Sequence, residues 1–265
     1  MPVTVLSGVL AVVFYTLGSV FQLQSITQGK HTRQLVFGLA WAAVLAHAIS
    51  AWGIIVTASG FHFGIAEIST LLAFSISLLV LVSSLRKPLQ NLFVVLFPLA
   101  IIAIVVSLTV RSNFPPTEMH LGIASHILLS IVAYSMISIA AVQAAFLSYQ
   151  NYQLKHHHPA GIVSKFPPLQ DMEIFLFELL WVGEILLGLG IVLGFVFIED
   201  FAAQEGLIHK TVFSILAWVV FAGLLWGRHQ LGWRGSTAIR GTITGFVLLL
   251  LGFYGSKFVL EFILA

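Results

Sequence analysis

The 265-residue chain contains no cysteine, and that absence removes several classes of chemistry at once. Without thiols there is no disulfide framework, no thiolate metal site and no CxxCH segment for covalent haem attachment. Charge is nearly as scarce. Asp, Glu, Lys and Arg make up 8% of the residues, whereas a soluble domain carries about 25%. No water-facing surface can be built from so few ionisable groups. The formal net charge of +2 gives no footing for nucleic acid as a partner. An enzymatic reading is equally poor in material, since no nucleophile–base pair and no metal-ligand spacing stands out. Met1–Gln24 lacks a basic leader and a small-residue cleavage site, so it reads as a retained first span.

What is present in quantity is hydrocarbon. Hydrophobic residues reach 59% and the mean hydropathy is +1.04. They fall in helix-length runs, not in the ten-residue alternations of a barrel. Eight spans are predicted, at roughly 3–23, 35–57, 66–84, 91–110, 120–149, 173–198, 208–227 and 241–263. The expected fold is therefore all-α, a polytopic membrane bundle forming a single domain over 1–265, with the lipid bilayer as its solvent. Nine of the twelve basic residues fall on one side: Lys30, Arg33, Arg86, Lys87, Lys155, Lys165, Arg228, Arg234 and Arg240. Arg111, Lys210 and Lys257 fall on the other, so the first set marks the cytoplasm and both termini are expected in the periplasm.

Ionisable residues inside apolar spans are the candidates for function, because lipid penalises each by several kcal/mol unless it is paired. Four groups qualify: His47 on span two, His126 on span five, His209 at the outer mouth of span seven, and Glu184 near the middle of span six. His120 and His126 are six residues apart, about 120° around a helix, so only one of them belongs to any single site. Pro115-Pro116 precede His120 and put it at the interface, which leaves His126 facing the bundle. His47, His126 and His209 share the outer half of the membrane, where two imidazoles from facing helices would ligate a haem iron. Trp41, Trp52, Phe195, Phe197 and Trp218 offer an apolar surround. For each histidine, a hydrogen bond to a neighbouring helix is the competing reading. His156-His157-His158 reads as part of a solvated basic loop. In span six, Gly190-x-x-x-Gly194 reads as a seam for close helix approach.

The second half of the chain carries a recognisable order of residues. His126-Ile-Leu-Leu-Ser-Ile-Val-Ala-Tyr134 opens span five, and Leu187-Gly-Leu-Gly-Ile-Val-Leu-Gly194 lies in span six. Trp218 through Gly245 then contains the basic turn Gly232-Trp233-Arg234-Gly235. In this order the chain resembles the cytochrome c assembly superfamily of CcsA/CcmC-type membrane proteins, and in particular its YpjD-like branch, over about residues 70–260. The resemblance implies haem handling, with the axial-ligand role of a superfamily histidine falling on His126. A second superfamily histidine position holds Trp226. Haem-delivering members carry a tryptophan-rich outer loop where this chain reads Glu205-Gly-Leu-Ile-His209-Lys210, which implies an accessory role.

The expected function is thus a haem-binding or haem-handling protein of the bacterial inner membrane. Its cofactor would be haem b, held by His126 with His209 or His47, and another membrane protein is a possible partner. Two other readings stand beside it: a cofactor-free assembly subunit, and a permease-like small-molecule pathway. Arg228, Trp233 and Arg234 are expected to anchor the turn between spans seven and eight at the cytoplasmic interface.

Overall fold

The structure is a computed structural model that describes residues 2–29, 32–58, 60–110, 121–156, 166–197 and 205–258. His120, Pro115, Pro116, His157 and His158 lie outside the described residues, as do the acids Glu199 and Asp200.

The apolar runs are helices, because a backbone in hydrocarbon must satisfy its own N–H and C=O groups. In order they are α1 (Val3–Gln28), α2 (Arg33–Ile55), α3 (Ile65–Arg86), α4 (Phe93–Thr109), α5 (Leu121–Lys155), α6 (Leu169–Phe197), α7 (Glu205–Gln230) and α8 (Ser236–Leu250). The last continues through a wide π turn, Leu251–Gly255, into α9 (Ser256–Phe258). All eight predicted spans are found, each long and apolar enough to cross a membrane. At 35 residues, α5 would reach about 52 Å and so outruns a hydrocarbon core of about 30 Å.

Two local features depart from the sequence expectation. The second span closes in a small antiparallel hairpin, β1 (Val56–Thr57) with β2 (Gly60–Phe61). Gly60 at φ 125° permits its tight return. The seventh helix does not stop at Gly227. It runs on to Gln230, and α8 begins at Ser236, so the turn is shorter than the apolar runs alone suggest. Gly227 lies inside the helix, and its missing side chain makes room for the Trp233 ring folding back on it.

Two compact units account for the packing, α1–α4 with the hairpin and α5–α9. In the first, Phe93 and Phe97 stack with ring centroids 4.6 Å apart, and Tyr15 leans on Phe97 at 4.9 Å. A Cβ at Gly8 would stand 2.8 Å from both Leu108 and Ser50, so the glycine lets α1 lie against α2 and α4. In the second unit α5 and α6 lie together along the small residues of α6. A Cβ at Gly183 would meet Ile137 at 2.7 Å, and one at Gly190 would meet Ser130 Oγ at 3.3 Å. The seam expected at Gly190 and Gly194 is therefore present and extends to Gly183. Gly245 likewise gives way to the Phe221 ring, joining α8 to α7.

Candidate functional site

His47 is fully buried in the first unit, and both of its ring nitrogens are engaged. Nδ1 pairs with the Tyr15 hydroxyl at 3.3 Å and Nε2 with the Thr70 hydroxyl at 2.9 Å. Phe74 stands edge-on to the imidazole, with centroids 5.8 Å apart. The chain Tyr15–His47–Thr70 ties α1, α2 and α3 through groups that lipid could not solvate. No lone pair of this imidazole points into open space.

His126 is differently placed, in the second turn of α5 and half-buried. Its Nδ1 lies 2.8 Å from the carbonyl oxygen of Gly190 on α6. A carbonyl only accepts, so Nδ1 carries the proton and Nε2 keeps its lone pair in the neutral ring. This is the arrangement by which proteins orient a metal-binding imidazole, with one nitrogen fixed by an outer acceptor and the other presented. The local sequence explains the geometry. Gly190 and Gly194 are one turn apart on the α6 face that meets α5. A Cβ at Gly194 would stand 3.1 Å from His126 Cε1, so the glycine makes the ring's berth.

Contacts show which other groups share this end of the unit. The start of α7 meets the end of α8 and its continuation. A Cβ at Gly252 would lie 2.8 Å from Phe213 Cβ and 3.3 Å from the Lys210 carbonyl. The Lys210 ammonium sits 5.3 Å from the Phe253 ring centroid, within cation–π range. His209 is exposed beside it at the head of the seventh span. His126 and His209 thus belong to the same end of the same unit, whereas His47 belongs to the other unit. Deeper in, the Tyr134 hydroxyl donates to the Leu249 carbonyl at 3.0 Å, just before the π turn of the last span.

The aromatic residues expected to surround a cofactor face outward. Trp52 is 69% exposed and Phe195 52%. Phe197 covers Gly122, and Trp218 lies against Gly188 on another face of α6.

At the opposite end of the unit the basic turn is held from a direction that the sequence reading did not anticipate. Glu173, buried in the second turn of α6, accepts from Arg228 Nη1 at 2.8 Å and from the Gly235 N–H at 3.4 Å. Arg228 also lies over the Phe177 ring at 4.7 Å and donates to the Trp233 carbonyl at 3.3 Å. Arg234 is only 3.7 Å from the same carboxylate and is 66% exposed. Glu173 reads in sequence as an ordinary first-turn acid. The signal available was the shortage of acids opposite an arginine-rich turn.

Comparison with known proteins then places the chain. Residues 11–264 match the family described as cytochrome C assembly protein. The chain belongs to that family. Among its relatives it is 36% identical to the inner membrane protein YpjD of Escherichia coli K12, over 54% of this chain and 53% of that one. It is 32% identical to an uncharacterised 28.8 kDa protein of Azospirillum brasilense, over 52% of each chain. It is 24% identical to protein HemX of Brevibacillus brevis, over 49% of this chain and 48% of that one. The chain spans about half the length of the curated relatives it matches. No solved structure matches it. Eight spanning helices and the likeness to YpjD place this family member in the bacterial inner membrane as a multi-pass protein.

Proposed function

We propose that this protein binds haem at the outer end of its second unit and serves as an accessory factor in cytochrome c assembly. One observation carries the reading: His126 donates through Nδ1 to the Gly190 carbonyl and presents Nε2 as a free base. Family membership supplies the context.

The donor set suits a haem. Among the described residues no three of His, Cys, Asp or Glu converge, so a bare metal ion would lack ligands here. A porphyrin brings four nitrogens of its own and asks the protein for one or two imidazoles. His126 would supply the first and His209, at the same end of the unit, the second. Lys210 provides positive charge of the kind that a haem carboxylate pairs with. A bound haem would contribute an iron centre capable of one-electron exchange. The protein's own part is to fix one imidazole tautomer and offer a cation. His47, with both nitrogens engaged, would serve the packing of the first unit.

The visible spectrum of protein purified from haem-replete cells, with and without dithionite, tests this. A Soret band with resolved reduced α and β bands is expected. It should be lost in His126→Ala, altered in His209→Ala and retained in His47→Gln. A colourless protein that also fails to take up added haem would refute the proposal and favour a cofactor-free assembly subunit.

A further inference from the structure

Glu184 lies near the midpoint of α6, about 16 Å by helical rise beyond Glu173, and is buried at 6% exposure. Neither carboxyl oxygen has a hydrogen-bond partner among the described residues. A carboxyl in this position is costly to keep in hydrocarbon unless something compensates it. It lines a groove of about 690 Å³ between α6 and α7, walled by Trp181, Trp218 and Trp226, with His229 at its far end. The pattern is built by helical spacing. Trp181, Glu184 and Gly188 share one face of α6, and Trp218, Ala222, Trp226 and His229 one face of α7. Gly188 matters here, because a Cβ would stand 2.9 Å from Trp218 Nε1, so its absence lets the indole lie close to α6 one turn from the carboxyl. Trp181 and Trp226 are 52% and 59% exposed, so the groove is open toward lipid.

We infer that this groove binds a lipophilic organic cation, with Glu184 releasing its proton to water as the cation enters and so becoming its counter-charge, and with the three indoles as its walls. Charge complementarity selects the occupant. The groove holds one unpaired acid, its one basic lining residue among the described residues is His229 at the end of α7, and indole faces attract cations. A mostly apolar cleft of this size with one convergent polar group is the form of a small-molecule site. This site is on a different face of α6 from the glycines that meet α5, and does not depend on the haem reading.

The test uses full-length protein in phosphatidylcholine nanodiscs and tetraphenylphosphonium as the probe. Binding is followed by equilibrium dialysis and by quenching of tryptophan fluorescence, with empty discs subtracted. One saturable site per chain is expected, weakened about tenfold or more in Glu184→Gln and less in Trp218→Leu. In the unmodified protein, dicyclohexylcarbodiimide should label Glu184, and tetraphenylphosphonium should protect it. Uptake no greater than that of empty discs would overturn the inference. So would labelling of Glu184 unaffected by the probe, or a dimer in the discs that buries Trp226 against a second copy.

Discussion

Glu173 holds two segments of the second unit, and a double-mutant cycle measures how firmly. The Arg228–Glu173 contact is 2.8 Å long, between side chains 21% and 9% exposed, so solvent screens it little. A hydrogen bond to a charged group contributes about 1.5–3 kcal/mol. The guanidinium over Phe177, at 4.7 Å, adds about 0.5–1 kcal/mol. Arg228→Met should therefore cost about 2–4 kcal/mol. Glu173→Gln, which keeps an oxygen for the Gly235 N–H, should cost about 1.5–3 kcal/mol. The pair should couple by about 1.5 kcal/mol or more, since the double variant strands no charge. Arg234, farther away and mostly in solvent, should give less than about 1 kcal/mol. Reversible unfolding by SDS in mixed micelles reports each value. Coupling below about 0.5 kcal/mol, or an Arg234→Ala loss equal to that of Arg228→Met, would refute the clamp.

Three further outcomes follow from the same structure. Tyr15→Phe and Thr70→Val each leave one His47 nitrogen unpaired and should destabilise by about 1–3 kcal/mol, with any haem spectrum unchanged; loss of colour without loss of stability would return His47 to the ligand set. Gly183→Val drives side-chain atoms into Ile137 and should cost about 1–3 kcal/mol, whereas Gly38→Ala, with nothing within 4 Å of the new Cβ, should be neutral or stabilising in the same assay. For the orientation proposed from the nine-to-three division of basic residues, alkaline phosphatase fused after Ala265 should be active and after Lys155 silent; the reverse pattern would invert the topology.

The spans were legible because lipid imposes one requirement on every residue, and the runs from Val3 to Phe258 meet it with little competing signal. Ends were harder to read. Gly227 looks like a helix terminus until the Trp233 ring is seen occupying the space its side chain lacks. The histidines show where pattern stops. His47, His126 and His209 are alike in sequence, each an imidazole in an apolar run. Only packing shows that Tyr15 and Thr70 take both nitrogens of the first, while Gly190 takes a single nitrogen of the second. Those partners lie 64 residues from His126 and up to 32 from His47, and no local spacing encodes them. Glu184 was legible as an anomaly, an acid in mid-span, but its lack of a partner is a property of the folded pair α6 and α7.

The most direct test of the central claim is chemical rescue at His126. The variant His126→Gly opens the berth beside Gly194 and removes the imidazole while leaving the Gly190 carbonyl in place. If His126 ligates haem iron, the variant purified with haem should lose the six-coordinate reduced α and β bands. Added imidazole should restore them in a saturable titration, stabilising the folded protein as the site fills. If His126 only packs α5 against α6, imidazole would leave the spectrum as it was, or the variant would match the unmodified protein from the start. Either result would contradict the account.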